Sequence, residues 1–180
     1  YMTTDGYRDR SSSERYLTNA KFGIKIDDRA SLTISASYLD QPWDQDPGTL
    51  TAAQVAQNRR QAVATSYQFN SGRSLDNKQI GAVYDRQLTA SDSIRVMAYG
   101  GERNNIGYLG TRGGAAVPFS SGGISGLARD FLGFGGRWTR KTTVFGDQPL
   151  TVTAGADYDV AGEDRKGYEN LNGAIGILKR

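Results

Sequence analysis

The sequence has no cysteine and no histidine, and these two absences exclude several kinds of chemistry. Disulfide scaffolds, thiol nucleophiles and metal sites built from cysteine or histidine all need residues that the chain lacks. Acid/base catalysis by imidazole is excluded for the same reason. The absence of cysteine is compatible with an oxidising compartment, although it does not require one.

Long apolar runs are also missing from the sequence. No segment approaches the roughly 18 consecutive apolar residues that a transmembrane helix needs, so a helical membrane protein is excluded. The strands of a membrane β-barrel escape this test, because polar residues interrupt their lipid-facing side chains at every second position. The chain has 4 prolines against 23 glycines and 10 tyrosines, and its mean hydropathy is -0.56. This composition is typical of strands with one apolar face.

A strong excess of one charge is lacking as well. The formal net charge of +3 is small for 180 residues, and the basic residues are mixed with Asp and Glu, which argues against a nucleic-acid partner. The length predicts one unit that covers residues 1–180. Residues 1–10 show no basic segment followed by an apolar one, so no signal peptide is predicted and the chain is expected to be an internal fragment.

Six segments carry apolar side chains at every second position, always at even residue numbers. The alternation is clearest near the C-terminus, where Leu150, Val152 and Ala154 alternate with Thr151 and Thr153. A period of two residues is that of a β-strand with one apolar and one polar face, so the chain is predicted to be all-β. The six predicted strands cover residues 15–26, 31–40, 79–88, 93–101, 132–141 and 150–160.

The links between these strands are alternately short and long. Residues 27–30, 89–92 and 145–149 read as tight, polar, Asp-bearing turns that close hairpins. Residues 41–77 and 104–130 form much longer connections. An antiparallel meander with short turns at one end and long loops at the other is the layout of outer-membrane barrels, whose periplasmic turns are short and extracellular loops long.

The two long connections differ in composition. In the first, residues 51–64 are predicted to form a short helix with Thr51 as its N-cap. The second is rich in glycine and is therefore expected to be mobile. Its glycines are Gly110, Gly113, Gly114, Gly122, Gly123 and Gly126.

The polar faces of the strands indicate their environment. In a soluble core, Lys21, Arg95 and Asp157 would each need a partner or carry a large desolvation cost. A water-accessible or plug-filled barrel lumen removes that cost. A soluble β-sandwich with the polar faces outside removes it too, and stays open as the alternative, although the long loops weigh against it. The residues predicted to face the lumen are Lys21, Lys25, Gln79, Asp85, Arg95, Arg137, Asp157 and Asp159.

No motif of an enzyme or of a resident metal site stands out. The glycine clusters lack the Gly-Lys-Ser or Gly-Lys-Thr of a phosphate-binding loop. The segment Asp-Gln-Asp-Pro-Gly at residues 44–48 lacks the third oxygen ligand and the distal Glu of a calcium loop. A serine nucleophile would need a Gly-x-Ser-x-Gly elbow or a Ser-x-x-Lys pair, and neither occurs. The chain is predicted not to be an enzyme and to bind no cofactor.

Aromatic and basic residues suggest two further roles. Tyr16, Tyr38 and Tyr158 fall on the apolar phase toward the long-loop ends of their strands, where a ring can lie among acyl chains and its hydroxyl among head groups. Plain packing in a soluble sheet is the alternative. Loop residues of the same types can receive an anionic, partly aromatic chelate, or can merely lie on the surface and bind lipopolysaccharide. The candidates are Trp43, Arg59, Arg60, Arg103, Tyr108, Arg112, Phe119 and Arg129.

Residues 1–11, Tyr-Met-Thr-Thr-Asp-Gly-Tyr-Arg-Asp-Arg-Ser, resemble a loop segment in the barrel domain of TonB-dependent siderophore receptors of the bacterial outer membrane. The strand with Asn19-Ala20-Lys21 and residues 38–48 are similar to the same family. The resemblance covers the whole chain as alternating strands and loops, with its specific motifs in the first fifty residues. It implies that Asp5-Gly6 shapes the loop apex and that Tyr7 and Arg8 tie the loop back to the strands.

The resemblance also implies a fold and a function. The family fold is a 22-stranded barrel around an N-terminal plug, energised by an inner-membrane complex through a TonB box, and its function is the import of ferric siderophores or similar metal chelates. This sequence shows no plug and no TonB box, and its six predicted strands are expected to form only part of a barrel. Residues 168–180 are expected to form the next surface loop. The alternatives are a soluble β-sandwich adhesin or binding domain and, less in keeping with the sequence, an outer-membrane enzyme.

Overall fold

The computed structural model describes residues 1–113 and 122–179. They form one antiparallel sheet of eight strands in the order β1-β2-β3-β4-β5-β6-β7-β8, and the sheet is not closed into a barrel. The predicted all-β antiparallel meander is thereby confirmed, with eight strands instead of six. The strands are β1 (Met2–Thr4), β2 (Ser13–Asp27), β3 (Ala30–Gln45), β4 (Gly72–Gln87), β5 (Asp92–Tyr108), β6 (Ile124–Val144), β7 (Gln148–Leu171) and β8 (Ala174–Leu178).

The register of the sheet keeps even-numbered residues beside even-numbered residues from β2 to β7. The alternation of each strand therefore adds up to one continuous apolar face, while the odd-numbered residues make up the polar face. We call these two sides of the sheet the apolar face and the polar face. One row of paired residues across the apolar face consists of Phe22, Ile34, Ala82, Ala98, Phe134 and Tyr158.

The described residues do not pack around a hydrophobic core. Their buried apolar residues are Ala30, Ala62 and Ile124. On the apolar face Phe22 remains 61% exposed and Phe134 55% exposed. A β-sandwich packs two sheets face to face around side chains of this kind, whereas the described residues form a single sheet with this face open.

The three short turns lie where the alternation predicts them. β2 and β3 are joined by Asp28 and Arg29, and the Asp27 carboxylate accepts a hydrogen bond from the Arg29 amide over 2.7 Å. In the next turn, the Thr89 hydroxyl accepts one from the Asp92 amide over 3.0 Å. These side chains satisfy turn amides that lack a strand partner. Because each turn is closed locally, the strands before and after it are held in register.

The long connections are shorter than predicted, because the strands continue beyond the alternating segments. The expected loops at 41–77 and 104–130 are in fact residues 46–71 and 109–123. β3 passes Pro42, which has no amide proton, through a register shift between Gln41 and Asp44. β5 and β6 stay paired up to Tyr108 and Ile124, although apolar and polar residues no longer alternate regularly there. The alternation of apolar and polar residues indicates that one face of a strand is apolar. Backbone pairing between strands does not require an apolar face.

Two segments expected to be surface loops contain strands, so those expectations were wrong. Met2–Thr4 pairs with the start of β2, within the loop predicted for residues 1–11. Within residues 168–180, β7 continues to Leu171 and β8 follows after Asn172-Gly173. Both turn residues have positive φ, 53° and 92°, which is the backbone of a tight hairpin and the reason why Asn-Gly is favoured in one.

The predicted helix at 51–64 is confirmed at its start and too long at its end. Helix α1 covers Ala52–Gln57, and Thr51 is its N-cap in a capping box with Gln54. The chain then turns extended at Asn58, and a second helix, α2, covers Ala64–Gln68. Among the described residues, no helix has the length and apolar character needed to cross a membrane.

Candidate functional site

The apolar face ends in a straight line toward the long loops. Its last apolar row consists of Ala20, Ala36, Ile80, Gly100, Leu132 and Val160. The next row on the same face consists of Thr18, Tyr38, Lys78, Glu102, Asp130 and Gly162. Within one step of two residues, side chains with a polar group follow on five of the six strands, and Gly162 follows on β7. We call the region between this line and the tight turns the apolar band.

The length of the band along the strands suits a hydrocarbon layer. At about 3.4 Å per residue, it extends roughly 20 Å on β2, from Ala20 to Ile26, and roughly 34 Å on β7, from Leu150 to Val160. Strands of membrane barrels are tilted by about 35–45° and carry an apolar band about 25 Å tall. At a tilt of about 40°, the band would be about 26 Å tall on β7 and about 15 Å tall on β2.

Aromatic side chains with polar tips lie near both edges of the apolar band. At the loop side, the Tyr16 hydroxyl donates to Glu14 over 2.5 Å and its ring lies 4.9 Å from that of Tyr1. At the turn side, the Trp138 indole donates to Asp92 over 3.1 Å. Of the three tyrosines predicted for the loop side, Tyr158 lies elsewhere. It pairs with Phe134 in the middle of the band, because β7 continues eleven residues further, to Leu171, than the alternation of residues 150–160 suggested.

The polar face carries all eight residues predicted to face a lumen, and they are odd-numbered members of β2 and β4–β7. Two of them form a bidentate ion pair, in which Arg95 donates to Asp85 over 2.5 and 3.0 Å. Asp159 accepts a hydrogen bond from the hydroxyl of Tyr99. Small residues alternate with these groups. The polar face thus carries charged residues, of which Asp85, Arg95 and Asp159 have partners on the same face.

A groove of about 500 Å³ lies on the polar face near the loops. Its floor is aromatic: a Cβ on Gly133 would meet the far end of the Tyr99 ring, and one on Gly101 would meet the far end of the Phe131 ring, so the two glycines make room for these side chains. Arg103 on β5 and Arg129 on β6 are direct register partners at its upper end.

The loop end of the groove holds two guanidinium groups, Arg103 and Arg129, and two carboxylates, Asp159 in the lining and Glu163 beside Arg129. Arg129 lies 3.7 Å from Glu163, which is the carboxylate nearest to the arginine pair. Like charges placed directly opposite each other on neighbouring strands repel unless a counter-charge joins them. Among the described residues Arg103 has no carboxylate within ion-pair distance, so its guanidinium can receive an anion above the aromatic floor.

The predicted ligand contacts fall into separate places. Trp43 and Tyr108 meet edge to face with their ring centroids 5.3 Å apart, at the loop ends of β3 and β5. Arg60 lies over the ring of Tyr7 at 5.4 Å, and Arg112 lies 3.8 Å from Glu169. Arg59 is exposed in the 46–71 loop, and Phe119 lies outside the described residues. The structure brings together two pairs, Trp43 with Tyr108 and Arg103 with Arg129.

The loops pack on one another at this end of the sheet. The Arg8 guanidinium donates to the carbonyls of Gly48 (2.6 Å), Pro47 (3.2 Å) and Gln61 (2.8 and 3.0 Å). Arg8 was expected to tie its loop back to the strands, and it ties it instead to the 46–71 loop, whose carbonyls have no strand partner. Gly6 at the apex has φ +74°, as expected for an Asp-Gly turn.

A buried asparagine joins three further segments of this loop layer. Asn170 is fully buried and donates to the carbonyls of Phe69 (2.8 Å) and Leu109 (3.3 Å), while its own carbonyl oxygen accepts from the amide of Gly173 (2.7 Å). The second long loop is therefore anchored at Leu109. The expectation that this loop is mobile concerns Gly114 too, which lies outside the described residues.

Sequence reasoning missed the floor of the groove. Tyr99 interrupts the polar phase of its strand, and Phe131 lies between the loop predicted for residues 104–130 and the strand predicted to begin at residue 132. The signal that could have found the floor was an aromatic residue on an otherwise polar face, paired with a glycine on the neighbouring strand. Tyr99 is paired with Gly133, and Phe131 with Gly101. No three acidic side chains in the described part of the chain converge as a metal site. No protein-family model matches the chain.

Proposed function

We propose that this chain is part of the wall of a transmembrane β-barrel in the bacterial outer membrane, in a TonB-dependent receptor that imports ferric siderophores or similar metal chelates. The observation that carries the proposal is the continuous apolar band across six strands, opposite a polar face. A hydrocarbon layer gives an open apolar band of this kind a physical reason.

The energy of the open face supports a lipid environment. Each half-exposed Val, Leu or Phe forgoes on the order of 1 kcal/mol of burial free energy in water. Contiguous apolar patches of more than a few hundred Å² mark surfaces that meet a partner or a membrane. Acyl chains cover the whole band without requiring a second sheet, and the polar face then lines the interior.

The open edges of the sheet support a larger barrel. β1 pairs with β2 only up to Arg15, and β8 pairs with β7 only from Tyr168 onward. In the described residues, the rest of both long strands is hydrogen-bonded on one side. Unpaired strand edges are not tolerated in hydrocarbon, so further strands must complete the wall. The family resemblance sets their total at 22, with a plug domain inside.

The proposed ligand region is the loop end of the polar face. The groove with Arg103 and Arg129 offers two guanidinium groups above an aromatic floor, which suits an anionic chelate with planar groups. The Trp43–Tyr108 pair lies nearby at the loop ends of β3 and β5. Uptake would depend on the plug and on TonB, as in the family that the sequence resembles.

Membrane insertion can be tested with the two tryptophans, because they lie in different regions. Trp43→Phe leaves Trp138 at the band, and Trp138→Phe leaves Trp43 in the loop layer. Vesicles whose acyl chains carry bromine should quench Trp138 strongly and Trp43 weakly. Equal quenching of both, together with a monomeric protein in buffer without detergent, would contradict the proposal and favour the soluble β-sandwich alternative.

Chelate binding can be followed by the fluorescence of Trp43 in the Trp138→Phe protein in detergent. Ferric complexes of citrate, a hydroxamate and a catecholate serve as probes. At least one should change the fluorescence with saturation, and Arg103→Gln with Arg129→Gln should weaken its binding. Arg29→Gln at the tight-turn end is the matched control. If all variants bind the chelate with the same affinity, the groove is not the binding site.

A further inference from the structure

The two edges of the apolar band carry opposite charges. Beyond the loop-side edge, the first two polar rows contain five carboxylates and one ammonium group. They are Asp40, Asp76, Glu102, Asp130 and Asp164, with Lys78. At the turn side, the apolar face contains Arg86 and Arg140, with Asp92 between them. This difference depends on the register and cannot be read from the net charge of the chain.

The carboxylate on the apolar face between these two arginines is already engaged. Asp92 is 16% exposed in its side chain, accepts from the Trp138 indole over 3.1 Å and accepts from the Thr89 hydroxyl over 2.8 Å. Arg140 lies 3.9 Å from it, beyond hydrogen-bond distance. The Arg140 side chain is 54% exposed, so its N–H groups can donate to an acceptor outside the protein.

Arg86 is in a similar position. Its guanidinium donates to the Tyr84 hydroxyl over 3.1 Å, and its nearest carboxylate, Asp27, is 3.8 Å away. The adjacent Lys25 is neutralised by Asp28 at 2.5 Å. Two arginines with spare donors thus lie among apolar residues of the same face, next to an indole.

We propose that Arg86, Trp138 and Arg140 form a contact site for the phosphate groups of anionic glycerophospholipids in the leaflet at the tight-turn end. The inference rests on the proposed membrane location, and it adds the class of lipid that contacts the protein in that leaflet. Guanidinium groups bind phosphate oxygens through paired, charge-assisted hydrogen bonds. Indole rings favour the region between head groups and acyl chains, and the apolar band continues from there along the chains. The acidic loop-side edge repels the same head groups, so the preference belongs to one leaflet.

The test uses the Trp43→Phe protein, in which Trp138 reports insertion from detergent into vesicles. Vesicles of phosphatidylglycerol are compared with vesicles of a neutral, phosphate-free galactolipid. We expect insertion to favour phosphatidylglycerol by about fivefold for each arginine, from the attraction of a basic residue to an anionic surface. Arg86→Gln with Arg140→Gln should remove that preference, and the corresponding Lys variants should keep most of it.

The control has the same net charge. Arg73→Gln with Arg165→Gln removes two arginines at the loop end, and should leave the lipid preference intact. A preference that survives in the Arg86 and Arg140 glutamine variants overturns the site. A preference abolished by inorganic phosphate assigns the arginines to free phosphate and overturns the lipid assignment. Failure to insert into either vesicle refutes the membrane location itself, and with it this inference.

Discussion

At the scale of single residues, the strongest polar contacts lie in the loop layer. Arg8 makes four hydrogen bonds to three carbonyls of the 46–71 loop. The Pro47 carbonyl also accepts from the Val63 amide over 3.0 Å, whereas the carbonyls of Gly48 and Gln61 lie in a loop without strand partners, where a side chain can satisfy them. A planar group with five donors does this in one step, which an ammonium cannot.

Arg8→Gln should therefore loosen the first long loop. A hydrogen bond to a charged group contributes about 1.5–3 kcal/mol, and the partly buried position of Arg8 favours the middle of this range. We expect the backbone amides of residues 46–63 to exchange with deuterium at least tenfold faster. Arg59→Gln, in the same loop but exposed, is the control. Equal exchange in the two variants would show that Arg8 does not hold the loop.

Glycines of the polar face differ in what surrounds them. A Cβ on Gly101 would meet the Lys78 carbonyl of the neighbouring strand and the Phe131 ring. A Cβ on Gly23 would have nothing within 4 Å. Gly101 thus makes room for the aromatic floor of the groove, whereas at Gly23 the neighbouring residues leave space for a side chain.

This difference predicts opposite effects of alanine at the two positions. Gly101→Ala should destabilise the protein by about 1–3 kcal/mol, because a backbone carbonyl cannot move aside cheaply. Gly23→Ala should be neutral or stabilising by up to about 1 kcal/mol through the unfolded chain. Urea unfolding in detergent micelles measures both. If both variants lose the same free energy of unfolding, the close contacts at Gly101 do not affect stability.

At the scale of elements, the strand pattern was predictable and the strand ends were not. Residues 150–160 alternate because one face is apolar, and that segment is indeed strand. β7 nevertheless continues to Leu171, through residues that are polar on both faces, since backbone pairing does not require an apolar side chain. The groove was missed for the same reason. Arg103 and Arg129 were predicted as loop residues and lie in strands, and Phe131 precedes the predicted start of its strand.

The last hairpin illustrates how an element depends on a buried polar group. Asn170→Ala leaves the carbonyls of Phe69 and Leu109 without their donor and removes the acceptor of the Gly173 amide. Leaving buried groups unsatisfied costs about 1–3 kcal/mol. We expect protease cleavage near residues 171–179 to become faster in Asn170→Ala. Asn172→Gly, at a positive φ that glycine tolerates, should leave cleavage unchanged.

At the scale of the whole molecule, the two faces of the sheet are the property on which the proposed function depends. The sequence predicts the parity of each strand, but the register alone shows that the parities agree across six strands. A shift of one residue in any hairpin would have placed apolar and polar residues side by side.

Neighbouring positions on β5 test the environment of these faces directly. Val96 lies on the apolar face and Met97 on the polar face, one residue apart. If lipid covers the apolar face, Val96→Arg should destabilise the protein in bilayers by about 2–4 kcal/mol, because a charge near the midplane loses its hydration. Met97→Arg places the same charge in the hydrated interior and should cost far less. Urea unfolding from vesicles measures the difference. In a soluble sheet Val96 is already exposed to water, so the two variants would then behave alike.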